Sequence, residues 1–468
     1  MMRARRLMLG LTPALVAMLQ PTTMALARAE PAPAPASMPT SPAVRDDFTV
    51  AAVGDLIYLR AMLPTIEARS PQLLRLLREA DLSFGNFETN IFDLAHFAGA
   101  PQAESGGTWM FGATGVPADV RAMGFDLVGT ANNHTTDWGV EGMAETLRRL
   151  TENGVVHAGA GASLSLARAP AYVDLPAGRI GLVAAASSFT PMSRAADPAG
   201  RVPGRAGLNP LRVTRTVLVP PADMAVIEHI AKAAGGRNGP KEDGVELMGA
   251  RYGTGAADDP VAYRFTANPR DVAGNLRSIR QARQNGNFAI FSLHNHEPGN
   301  EFDTPADFAP VLARQAIDAG ADMYVGHGPH QLRGIEIYKG KPIFYSLGNF
   351  AMMNNSLDDI PADMYEDNGA DPASLTPPQL LHRRNAKSFS NPRFFESIVA
   401  VSRFTGGKVA EIRLYPLDLG LDAAGADKGV PTLASPAVGR RILERLQRLS
   451  APFGTRIAIE DGVGIIRP

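Results

Sequence analysis

Five apolar, strand-like runs in this chain each lead into residues able to hold a metal ion, and this repeated arrangement limits the fold more than any other feature. Val53-Gly54 leads to Asp55, Phe84-Gly85-Asn86 to Glu88, and Val128-Gly129 to Asn132-Asn133-His134. Ser292-Leu293 leads to His294 and His296, and Val325-Gly326 to His327 and His330. In open α/β sheets ligands bind beyond the carboxyl ends of the strands, so these segments are expected to converge on one rim.

Short β-branched runs at 48–53, 82–85, 125–129, 180–186, 288–293, 323–325 and 343–346 read as strands. Helical patterns lie between several of them, at 70–79 behind Pro71, at 140–150 and at 307–319. Strands alternating with helices predict an α/β fold with a largely parallel, covered sheet, or two such sheets packed together. The stretch 195–266 is rich in Gly and Pro, with one helix at 221–234, and reads as a long loop-rich insertion. Toward the end, 435–449 is an amphipathic helix and 453–459 a last strand. At 468 residues the chain exceeds the roughly 250–300 at which single cores divide, so one large domain with insertions and two domains both remain open.

The N-terminus carries Arg3, Arg5 and Arg6, then an apolar run from 7 to 19, then small residues including Ala25-Leu26-Ala27. That order predicts a secretory signal over 1–29, hence export to the periplasm or another extracytoplasmic space. Uncleaved, it would be a membrane anchor. Alternating Pro and small residues make 30–46 a linker, with the folded body over 47–468.

Lys and Arg number 46 against 47 Asp and Glu, so no global field draws the chain to nucleic acid or to an anionic membrane. There is no cysteine, which leaves His, Asp, Glu and Asn as the available metal ligands. Taken singly, Asp55 could start a turn, Glu88 could be a solvated charge and Asn132-Asn133 could form a turn. The histidines say more. His294 and His296 would share one face of a regular strand, and His327 and His330 sit on a Gly-His-Gly-Pro-His turn. With His134 they predict one or two divalent ions, Mn, Fe or Zn, polarising a scissile group and generating hydroxide from a bound water. Asp137 and Glu297 are placed to orient imidazoles.

The segments AAVGDLIYL, GTANNHTTDWG, SLHNHE and VGHGPHQLRGIEIYKGKPIFYSLGNF resemble the CapA (PgsA-like) family of capsule and poly-γ-glutamate synthesis proteins, in the calcineurin-like metallophosphoesterase superfamily. The resemblance runs from about residue 48 to 468. It implies a four-layer α/β/β/α sandwich with Asp55 on the first metal, Glu88 bridging, Asn133 on the second metal and His134 as general acid or phosphate contact. His294 or His296, with His327 and His330, would complete the shell. Three departures leave the number of ions at one or two: Ile57 stands where the superfamily has a histidine, Glu88 replaces an aspartate, and the last motif is His-x-x-His.

The function so implied is metal-dependent hydrolysis or transfer on an anionic extracellular polymer, in contact with membrane-bound capsule synthesis proteins. Arg333, Lys339, Lys341, Arg194, Arg201 and Arg205 are candidates to meet substrate carboxylates. A periplasmic phosphomonoesterase or nucleotidase, and a non-catalytic accessory protein of polymer synthesis, are the alternatives.

Overall fold

Four of the five chemistry-bearing strands run further than their apolar residues suggest, ending at Ile57, Phe87, His294 and His327. Asp55, Asn86, His294 and His327 are therefore strand residues, not loop residues. The computed structural model describes residues 41–102, 105–355 and 357–468. The expected signal and most of the linker lie outside the described residues.

The protein is a mixed α/β fold with several sheets and, among the described residues, eleven α-helices. In the larger, ten-stranded sheet, Phe48–Ile57 pairs in parallel with Leu82–Phe87, which pairs in parallel with Leu127–Gly129, and that with Val156–Ala158. On its other side Phe48–Ile57 pairs antiparallel with the long hairpin Glu396–Thr405 and Lys408–Asp418 over its first half and in parallel with Asn349–Met352 at its end. The second sheet has six strands, with Gly178–Ala186, Phe288–His294, Met323–His327 and Lys341–Phe344 parallel at its centre and an antiparallel strand at each edge. The expected parallel character thus holds around the site, and the hairpin is an addition that the sequence reading did not contain.

Burial on both faces explains why the strands read as continuous apolar runs. Along Phe48–Ile57, Val50 and Ala52 join a core shared with Leu182, Ile290 and Val325 of the second sheet. Their neighbours Ala51 and Val53 face the opposite way, onto Leu73, Leu77 and Val120 from the helices Pro71–Glu79 and Val116–Met123. On the far face of the second sheet, Val183 and Phe291 pack with Ile279 of Pro269–Asn285 and Leu312 of Phe308–Asp318.

Two expectations need correction. The 195–266 stretch is not loop-rich throughout, since it carries a five-stranded sheet, Val213–Val219 and Ala262–Ala267 among its strands, with the anticipated helix Pro221–Ala234. Val219, Met224, Ala231, Val245 and Leu247 form its own small core. Its other strands are only three to five residues long, too short for a period of two to stand out. The final strand is a hairpin, Ala458–Glu460 with Val463–Ile466, and Phe453 lies in a 3₁₀ turn before it. No helix among the described residues is long and apolar enough to cross a membrane.

Candidate metal centre

Strand register places the ligand-type residues at one level. On the first sheet Asp55 lies opposite Asn86 on one side and Asn349 on the other, and Asn86 lies opposite Gly129. On the second sheet His294 lies opposite His327. The two rows meet here, because Asn86 Nδ2 stands 3.2 Å from His294 Nδ1 and a Cβ on Gly129 would come within 3.3 Å of Ser292 Oγ.

The strand bearing Asp55 changes partner just before that residue. Phe48 to Ala52 pair with Glu396–Thr405, whereas Asp55 to Ile57 pair with Asn349–Met352. At the switch Gly54 lies against the crossing chain so closely that a Cβ would sit 1.8 Å from the Gly348 carbonyl oxygen. That carbonyl accepts the Asp55 amide at 2.9 Å, so the glycine is what lets Asp55 be fixed there.

Asp55 is fully buried and accepts hydrogen bonds from Asn86 Nδ2 at 2.8 Å and from the Gly328 amide at 2.9 Å. Its carboxylate is 3.6 Å from His294 Nδ1, 3.4 Å from His327 Nδ1 and 3.9 Å from His330 Nδ1. The Gly-His-Gly-Pro-His turn brings this about. Gly328, at φ 116°, packs against the Asn295 backbone and turns its amide toward Asp55, and His330 takes φ 58°, in the left-handed region. An L residue there costs about 1–2 kcal/mol, consistent with a conformation imposed by the site.

The ligand atoms fall into two groups, Asp55 with His294 and His327, and Glu88 with His296 and His330, each within 4.8 Å of one another. Outer partners orient the rings. His327 Nε2 is 2.6 Å from Ser292 Oγ, His296 Nδ1 is 2.7 Å from Asn300 Oδ1, and His330 Nδ1 is 3.0 Å from Asn349 Oδ1. His134 Nδ1 is 2.6 Å from Asp137 Oδ2, which also accepts the Met110 amide, while His134 Nε2 lies 3.8 Å from Glu88.

The donor set fits a divalent cation. Both ring nitrogens of His294 face other imidazole nitrogens, His327 Nδ1 and His296 Nε2, each at 3.1 Å. That spacing matches the roughly 3.0–3.4 Å between ligand atoms around one ion with ~2.1 Å bonds, and each neutral imidazole keeps a lone pair to offer. Both oxygens of Glu88 and Oδ1 of Asn133 are buried with no hydrogen-bond partner. Burial pushes His294 down to about 4 and lowers His296 and His330, which leaves them neutral and able to ligate at neutral pH. Burial would raise Asp55, but hydrogen bonding to His294 and His327 holds it well below the usual carboxylate range. Glu88 goes the other way, raised by burial and then by Asp55, and a nearby cation would reverse that shift.

Six of the seven expected ligands fall in the two groups, His134 and Asp137 lie beside Glu88, and Asn133 lines the same cavity as His134, His296 and His330. Other expectations fail. The strand ends at His294, so His296 reaches the cluster from the following turn and not from a shared strand face. Glu297 touches no imidazole; it accepts from Ser187 and Ser188, and Ser188 Oγ accepts the His296 amide. Lys339 and Lys341 pair with Asp318 and Asp322.

Arg333 is not a substrate contact. It is fully buried, and its guanidinium donates to the carbonyls of Glu297, Gly299 and Phe302 at 2.8, 3.2 and 3.4 Å, tying down the loop behind His296. Burial pushes it down to about 10. Arg333→Met is expected to destabilise the protein by about 3 kcal/mol in urea unfolding, since three carbonyls lose their donor. Unchanged stability with impaired substrate binding would restore the original reading.

Asn86, Ser292, Asn300 and Asn349 were missed. Asn86 had a signal, its place at the same strand end as Asp55, whereas the others are recognisable only by what they touch.

The chain belongs to the bacterial capsule synthesis protein PGA_cap family, whose sequence pattern matches residues 49–354 and so includes every residue of the cluster. Among its relatives, the protein y4uA of Sinorhizobium fredii, described as uncharacterized, is 47% identical over 441 residues, 92% of this chain and 95% of that protein. The PGA biosynthesis protein CapA of Bacillus subtilis is 29% identical over 233 residues, 49% of this chain and 43% of that protein. A probable polyglutamine synthesis accessory protein of Mycobacterium tuberculosis is 30% identical over 223 residues, 47% of this chain and 43% of its own length. The resemblance read from the motifs is thus borne out at the level of the family.

Proposed function

We propose that this chain is an exported, metal-dependent hydrolase or transferase of capsule or poly-γ-glutamate biosynthesis that acts on an anionic extracellular polymer. The observation that carries the reading is the convergence of two carboxylates and four imidazoles, with unsatisfied ligand atoms, at the rim where two sheets meet. The two sheets sharing one core, each with helices on its outer face, accord with a four-layer metallophosphatase-type sandwich.

Asp55, His294 and His327 would hold one ion, and Glu88, His296 and His330, with Asn133 beside them, a second. Bound divalent ions would supply charge to polarise the scissile group and to acidify a water. The chain's own residues do the rest. His134, oriented by Asp137, presents Nε2 toward Glu88 and is positioned to give a proton to the leaving group. Asn86 and the Gly328 amide hold Asp55 in place. Membrane-bound synthesis proteins are the proposed partners.

The test is elemental analysis of purified protein loaded separately with Mn, Fe and Zn, followed by turnover assays on γ-linked glutamate polymer and on a panel of phosphate esters. Bound metal with polymer cleavage or transfer is the expected result. Turnover of phosphate esters alone would establish the phosphomonoesterase instead. Metal binding with no turnover on either would favour an accessory role, the description carried by the mycobacterial relative.

A further inference from the structure

The helix Pro377–Ser388 lies beyond the stretch matched by the family pattern, yet it forms a wall of the site. Leu380, Leu381 and Arg384 are its buried residues, on one side of the helix. The two leucines belong to the core beneath the first sheet, and they fix the direction in which Arg384 projects.

Two cavities adjoin there. The smaller, of about 200 Å³, is lined by Asn133, His134, His296 and His330 of the candidate metal centre. The larger, of about 690 Å³, is lined by Lys387, Ser388, Asn391 and Arg393 among others. Gly106, Asn300, Arg384 and Phe389 line both, so these residues stand at the passage between them. Arg384 is the one lysine or arginine among the described residues lining the smaller cavity.

Its guanidinium is held in place before any ligand arrives. Nη2 donates to the Gly106 carbonyl at 2.9 Å and Nη1 to Asn385 Oδ1 at 3.0 Å. The group lies over the Phe389 ring, 5.4 Å from its centroid, and that ring is 5.9 Å from the ring of His330. A planar guanidinium fixed in this way suits carboxylate or phosphate oxygens and loses little freedom on binding them. Lys387, exposed and three residues further along the same helix, stands on the same side and lines only the larger cavity. Asp367 and Glu301 line that cavity too, so attraction there is local to its cations and not a general positive field.

We propose that Arg384 receives an anionic oxygen of the substrate, carboxylate or phosphate, at the entrance to the metal centre, and that Lys387 receives the next charge along an anionic chain. This rests on the reading of the cluster as a metal-dependent site. The larger cavity then holds the part of the substrate beyond the scissile bond.

The experiment is calorimetric titration of the metal-loaded full chain with inorganic phosphate and with a short γ-linked glutamate oligomer. Wild type, Arg384→Ala, Arg384→Gln, Arg384→Lys and Lys387→Ala are compared, with metal content and thermal unfolding measured on each. Arg384→Ala is expected to keep its metal and bind both anions about 10- to 150-fold more weakly, the loss of a hydrogen bond to a charged group. Arg384→Lys should recover part of the phosphate affinity. Lys387→Ala should weaken the oligomer by about 2- to 5-fold and leave phosphate unchanged.

Whichever anion binds wild type more tightly identifies the source of the oxygen. A folded, metal-containing Arg384→Ala protein with wild-type affinity for both anions overturns the assignment. If the alanine variant does not fold, the same outcome in Arg384→Gln does so. Wild-type protein that takes up no metal but loses anion binding on Arg384 substitution defeats the metal reading and leaves this assignment standing.

Discussion

Replacing His294 and His327 together by alanine is expected to weaken metal binding at least ~100-fold and to lower any turnover by about 10³-fold or more. These imidazoles are neighbours in the parallel register of the second sheet, 3.1 Å apart, and with Asp55 they make up one of the two ligand groups. Removing both leaves Asp55 as the single donor of that group, and one carboxylate does not retain an ion against water. Elemental analysis after dialysis, beside a turnover assay, reads both effects. His157→Ala serves as the control, because that ring bonds to Thr151 and belongs to neither ligand group. A double variant with full metal stoichiometry would refute the ligand assignment. One that loses metal yet keeps full biological activity would show that the bound ion is dispensable, which an enzyme working through it does not permit.

Gly54→Ala is expected to destabilise the protein by about 3 kcal/mol or more and to impair metal binding at the same time. The added methyl would meet the Gly348 carbonyl oxygen at 1.8 Å, and that atom belongs to backbone which also accepts the Asp55 amide. No rotamer change relieves such a contact, so the two chains must separate and carry Asp55 with them. Gly115→Ala is the matched control. Its Cβ would meet nothing within 4 Å and its φ of −80° suits any residue, so a change within ~1 kcal/mol is expected. Thermal unfolding with metal analysis on both variants checks this; a Gly54→Ala protein that melts as wild type does would contradict the close approach.

Much of the site was legible in the sequence because its residues lie at the ends of strands or just beyond them. A strand in a buried parallel sheet has to be apolar on both faces, and its end is where polar residues first become tolerable, so the pattern of apolar run and then Asp, Asn or His marks a rim. Asp55, His294 and His327 were found in this way, and the Gly-His-Gly-Pro-His turn announced a sharp change of direction. Arg333 was misread because an arginine next to a motif looks the same in sequence whether it meets a ligand or the chain's own carbonyls. Only the position of Glu297, Gly299 and Phe302 decides which.

The sequence by itself determined the α/β class, the strand ends that carry the chemistry, the exclusion of cysteine thiolate ligands and the family. These follow from local periodicity and residue type, which depend on neighbours along the chain. Tertiary structure alone decided how the ligands are grouped, since Glu88 meets His296 and His330, more than two hundred positions away, through the packing of two sheets. It also decided that the 195–266 stretch folds as a small sheet with its own core, and that a helix beyond residue 354 brings Arg384 to the rim. Short strands and a single buried arginine carry no periodic signal, and their roles are set by long-range contacts.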